Sequence, residues 1–156
     1  VLFFRQLLFF TAIGPTHVEI SGHPLRPGNQ YQVLLSQAGS VSFRRLELFL
    51  ELEEQATFRQ GTDVRTERQV VWQSLIRRWN NVEPLSGTPF EAEVQLQLPS
   101  KAMHSFSSTH NTVSWRLVLR GVPEHWPALV RVFPVVVFPA EIISIDGKKA
   151  IVQTRT

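Results

Sequence analysis

Alternation at period two constrains this chain more than any other feature. Leu46, Leu48, Leu50 and Leu52 alternate with Glu47, Phe49, Glu51 and Glu53. Phe90, Ala92, Val94, Leu96 and Leu98 alternate with Glu91, Glu93, Gln95 and Gln97. Val113, Trp115, Leu117 and Leu119 alternate with Ser114, Arg116, Val118 and Arg120. A helix would scatter these side chains around its circumference, whereas a strand puts each set on one face. Tyr31, Val33 and Leu35 make a shorter run, and Val70, Trp72, Ser74 and Ile76 a noisier one.

Turn chemistry separates the runs: His23 to Gly28, Gln60-Gly61-Thr62-Asp63, Glu83 to Pro89, and Gly121 to Pro127. Pro134 falls inside the run from Val130, and proline donates no ladder hydrogen bond, so that strand is expected at a sheet edge or at a bulge. Asp146-Gly147 reads as a two-residue hairpin turn. The expectation is an all-β antiparallel sandwich of seven to nine strands, with Trp72 and Trp115 meeting in the core.

Composition removes several functions. The chain has 156 residues, the size of one domain, with 43% hydrophobic and 19% charged residues, which excludes disorder. The net charge of +3 comes without a basic stripe, against a nucleic-acid surface. The absence of cysteine removes disulfides, Cys-ligated zinc and thiol nucleophiles, and fits a reducing compartment. The apolar run Val1 to Phe10, interrupted by Arg5 and Gln6, is too short to cross a bilayer. It is expected to be a packed strand or short helix, or the stub of a juxtamembrane segment. Residues 1–15 are read as this apolar segment and 16–156 as one sandwich domain.

His104-Ser-Phe-Ser-Ser-Thr-His-Asn111 holds a nucleophile and a base, but a triad also needs an orienting acid and an oxyanion hole. No acid is near in sequence and no Gly-x-Ser-x-Gly elbow exists, so the segment reads as a strand connection whose hydroxyls serve backbone groups. The five histidines show no metal-ligand spacing. The two aspartates, Asp63 and Asp146, are too few for a calcium site, and Glu51, Glu53 and Glu54 read as a solvated strand face. Phe58 to Arg68 places Arg59, Arg65 and Arg68 with Asp63 and Glu67 around a glycine turn. Arginine forks pairing with those carboxylates would hold the loop in one shape; the segment reads as a charged, solvated hairpin tip or, alternatively, as a binding rim for an acidic or phosphorylated peptide.

Leu98-Pro99, then Met103-His-Ser-Phe106, a polar loop, and Asn111-Thr-Val-Ser-Trp-Arg-Leu-Val-Leu-Arg120 resemble a segment of the arrestin family. Trp126-Pro127 and Val130 to Pro139 resemble its next strand; Pro27-Gly28 before Tyr31, and Leu46 to Leu52, resemble its early hairpin. The likeness spans residues 16 to 139. It implies a single divergent, bacterial-type arrestin-like module of immunoglobulin-like topology, similar to the first of the family's two tandem domains. Phosphoreceptor binding is not carried over, because the residues behind it do not map here. The resulting expectation is a non-enzymatic scaffold module with a protein or peptide partner and no cofactor. It would belong to a larger membrane-associated protein, in the cytoplasm or at the cytoplasmic face of a membrane. The alternatives are a carbohydrate-binding sandwich using Tyr31, Trp79 and Trp126, and a hydrolase using His104, Ser105 and His110.

Overall fold

The computed structural model describes residues 13–85, 87–140, 142–144 and 150–152. The described residues form ten strands: β1 Ile13–Ile20, β2 Gln30–Gly39, β3 Phe43–Gln60, β4 Asp63–Val82, β5 Phe90–Gln97, β6 Phe106–Ser107, β7 Asn111–Pro123, β8 Leu129–Val135, β9 Ile142–Ser144 and β10 Ala150–Val152. One sheet has the order β1-β2-β5; the other runs β4-β3-β7-β6, with β8 continuing along the same side of β7 beyond β6. All ladders are antiparallel, and β9 pairs with β10. The expected Asp146-Gly147 turn and the Val1 to Phe10 segment lie outside the described residues.

Alternation built the core as the sequence implies. Leu46, Leu48, Leu50 and Leu52 of β3 and Trp115, Leu117 and Leu119 of β7 face Val33 and Leu35 of β2 and Val94 and Leu96 of β5. Trp115 and Trp72 meet edge to face at 5.6 Å. The Trp115 indole N–H donates to the Met103 carbonyl at 2.6 Å, which satisfies the polar end of a buried ring. Pro134 does lie on an edge strand, since among the described residues β8 pairs only with β7. The noise in the Val70 to Ile76 pattern has a cause: β4 slips register against β3 between Leu48 and Phe49 and again between Leu52 and Glu53.

Burial also reaches Leu25 and Gln37, which belong to none of the apolar alternating runs. Leu25, in the His23 to Gly28 turn, is fully buried and bridges Val137, with Leu25 N–H donating to Val136 O and Phe138 N–H to Leu25 O. Gln37 is also fully buried; it accepts from the Thr16 hydroxyl and donates to the carbonyls of Gly14 and Ala38. Arg131 donates to the same Thr16 hydroxyl at 2.9 Å, and its partial burial lowers the guanidinium's pKa from its ordinary value through desolvation.

Candidate functional site

The solvent side of the large sheet is not the open polar face expected for the β3 glutamates. Glu51 is fully buried and Glu47 nearly so. Glu51 accepts from Arg116 Nε (3.0 Å), Arg120 Nη2 (2.7 Å) and Gln73 Nε2 (2.6 Å). Arg116 also reaches Glu53 at 2.7 Å, and Glu47 accepts from Arg78 (2.8 Å) and Arg45 (3.1 Å). Register explains this: Glu51 lies between Gln73 on β4 and Arg116 on β7, and Glu47 between Arg78 and Arg120. Long arginine stems cover the carboxylates while their heads pair with them. Between these rows lies an apolar row across four strands, Leu75–Phe49–Val118–Val132, with the Arg120 guanidinium 5.0 Å from the Phe49 ring centre. The outer face is therefore a satisfied structural network.

The opposite face of the same sheet differs beyond Leu52. The β3–β7 ladder ends at Ala56–Asn111, while β3 and β4 continue as a two-stranded ribbon to a turn at Gly61. Gly61 adopts φ +67, which glycine takes without strain. The second sheet does not bury this overhang, and residues 61–70 are all exposed. Pairing places Gln69, Glu54, Val113 and Phe106 in one cross-strand row on the inner face, with Glu67, Ala56 and Asn111 in the next. These rows line a groove of about 600 Å³ with Arg68, Gln55 and Thr112 at its margins. That volume is of the size that accepts a side-chain cluster or small ligand. Phe106 and Phe58, 49% and 40% exposed, are large apolar side chains open to solvent here.

The two segments singled out in the sequence therefore meet. Glu67 and Arg68 from the arginine-rich hairpin and Phe106 and Asn111 from the polar connection line one groove. Strand alternation divides the hairpin set. Arg65, opposite Phe58, and Glu67, opposite Ala56, share the inner face; Arg59, opposite Val64, and Arg68, opposite Gln55, share the outer one; Asp63 pairs with Gln60 beside the turn. The expected clamping of arginines on carboxylates is absent: among the described residues no ion pair joins Arg59, Arg65 or Arg68 to Asp63 or Glu67. Arg68 donates instead to Gln55 at 2.9 Å. Exposed positions facing solvent do not repay the entropy of fixing two long side chains.

The polar connection serves the backbone. Ser105 Oγ accepts from Val137 N–H, Ser108 Oγ accepts from Asn111 N–H, and Thr57 N–H donates to His110 O. Among the described residues no hydrogen bond links the side chains of His104, Ser105 and His110, and no cluster of three metal-ligating side chains occurs. The carbohydrate row also fails to assemble. Trp79 packs edge to face on Phe90 at 5.6 Å, the Tyr31 hydroxyl accepts from Arg26 N–H, and Trp126 packs against the core. No helix among the described residues is long and apolar enough to cross a membrane.

No family model and no curated protein matches this chain. The chain is similar in fold to Spo0M, a sporulation control protein from Bacillus subtilis, with a TM-score of 0.54 at 9% identity over 78% of this chain. The match spans 48% of Spo0M, about half its length. A superoxide reductase (neelaredoxin) from Ignicoccus hospitalis aligns over 81% of this chain and 82% of its own, with a TM-score of 0.47 at 13% identity. A β-glucosidase from Listeria innocua aligns over 79% of this chain and 16% of its own, at 18% identity and a TM-score of 0.32. The fold is thus an all-β antiparallel sandwich of arrestin-like type.

Proposed function

We propose that this sandwich is a non-enzymatic interaction module, the scaffold part of a larger membrane-associated protein, and that the inner face of the β3–β4 overhang is its contact surface. The observation that carries this reading is the groove itself. A strand pair of 18 and 20 residues extends past the sandwich and leaves Phe58, Phe106 and two glutamates, Glu54 and Glu67, that have no ion-pair partner among the described residues, uncovered beside it. Elsewhere on the large sheet the chain pairs the acids Glu47, Glu51 and Glu53 with arginines. A surface that is apolar, concave and charged without internal partners suits protein contact. Support for a non-catalytic role comes from the connection at 104–111, where Ser105 and Ser108 are engaged with main-chain groups.

Site-specific photo-crosslinking in the full-length parent protein tests this. A crosslinker at Phe106 should form protein adducts that one at His17, on the far sheet, does not. Equal adducts at both positions, or none at Phe106, would remove the overhang as the contact surface.

A further inference from the structure

The inner face of the overhang carries both halves of a complementary pair. From the turn inward, its rows are Gln60/Asp63, Phe58/Arg65, Ala56/Glu67 and Glu54/Gln69. Arg65, Glu67 and Glu54 are exposed, and their side chains form no ion pair or hydrogen bond among the described residues. Arg65 and Glu67 stand two residues apart on one strand, on one face, with opposite charge. The apolar side chains Phe58 and Phe106 stand open on the same face.

We propose that this face pairs with a second copy of itself. A two-fold axis across the hairpin, between the Phe58/Arg65 and Ala56/Glu67 rows, turns one ribbon antiparallel over the other. Arg65 of each copy then faces Glu67 of the other, and Phe58 faces Ala56. Asp63 and Glu54 face Gln69 and Gln60 of the second copy. No like charges are opposed in this register, and every contact occurs twice, as an isologous interface requires. The occupant is chosen by charge. A basic peptide would satisfy Glu54 and Glu67 but be repelled by Arg65, and an acidic peptide meets the reverse problem; a second overhang satisfies both signs. This inference rests on the overhang being the contact surface and names its partner.

The face is small, below about 1,200 Å² of total buried area, so association is weak and concentration-dependent. It also weakens with added salt, because the paired charges sit at an exposed rim.

Sedimentation velocity across a concentration series at low salt tests the proposal. The wild-type chain should shift from monomer to dimer. R65E and E67R should each weaken the dimer at least about tenfold, since each opposes like charges twice. The double variant R65E/E67R should restore it, because the pair is exchanged and not lost. Circular dichroism confirms that each variant keeps its fold. A chain that stays monomeric, or a dimer that ignores both single exchanges, or a double variant as weak as either single one, overturns the proposal. If Phe106 still crosslinks a different protein while the chain stays monomeric, the contact surface stands and self-pairing alone is wrong.

Discussion

Glu51 shows how far a residue's surroundings can depart from its place in a pattern. It sits on the side of β3 that alternation assigns to solvent, yet it is fully buried under Arg116, Arg120 and Gln73. Replacing it with alanine leaves the Arg120 guanidinium and the Gln73 amide without this acceptor and Arg116 with Glu53 alone. The arginines remain partly solvated, so the cost falls below that of a fully interior pair, at about 2 kcal/mol. Arg78→Ala removes one partner of Glu47 from a half-exposed position and should cost less than about 1 kcal/mol. Urea unfolding of the two variants should separate them clearly; equal midpoints would mean that the outer network contributes no more than ordinary surface pairs. On the inner side, Trp115→Ala empties a buried site and strands the Met103 carbonyl, with an expected loss of about 3–5 kcal/mol. The inner residues were legible because burial follows parity. The covering of Glu51 was not, because it depends on which side chains lie on β4 and β7 beside it, and register between strands distant in sequence is not written in any one of them.

Elements follow the same division between local and distant information. β3, β5 and β7 announce themselves, since each carries an unbroken alternation and is bounded by turn residues. β4 does not, because its two register slips shift the alternation partway along. The turn from His23 to Gly28 reads correctly as a turn, but the burial of Leu25 depends on Val137 more than a hundred positions away. For the candidate site, the hairpin tip and the polar connection were each visible, whereas their meeting across β3 and β7 was not. Gly14 gives a test at this scale. A Cβ there would lie 2.8 Å from the backbone carbon of Ala38 and the nitrogen of Gly39, beside the irregularity where β1 changes register with β2. The Ala38–Gly39 peptide of β2 cannot step aside as a flexible side chain can, so Gly14→Ala should lose about 1–3 kcal/mol. Thermal unfolding would show this as a lowered midpoint, and an unchanged one would mean that β1 is free to move outward. Pro134 belongs to a different class. It blunts the free edge of β8, whose Val130 and Val132 are exposed. Pro134→Val should therefore leave stability within about 0.5 kcal/mol and raise self-association in light scattering; no change in scattering would show that the edge is protected by other means.

At the scale of the whole molecule, the sandwich and the overhang are separable in energy. The core lies between the two sheets, and Leu52 is its last fully packed member on β3 toward the tip. Past the last β3–β7 ladder pair, Ala56–Asn111, the Thr57 N–H donates to His110 O in the connection that leads into β7. Beyond it, the ladder pairs Phe58 with Arg65, Arg59 with Val64 and Gln60 with Asp63 around the Gly61 turn. A free two-stranded ribbon is marginally stable by itself and adds little to the domain that carries it. Its length is then hard to explain by folding alone, since a shorter turn would close the same sheet with less chain to order. Replacing residues 58 to 65 with a two-residue Asn-Gly turn should leave the unfolding free energy within about 1 kcal/mol of the parent value. The same change should abolish concentration-dependent dimerisation, because it removes the Phe58/Arg65 row, and should keep crosslinking from Phe106, whose groove lining is retained. A large loss of stability would assign the ribbon to the core of the fold; a stable variant that still dimerises would place self-pairing on another face of the sandwich.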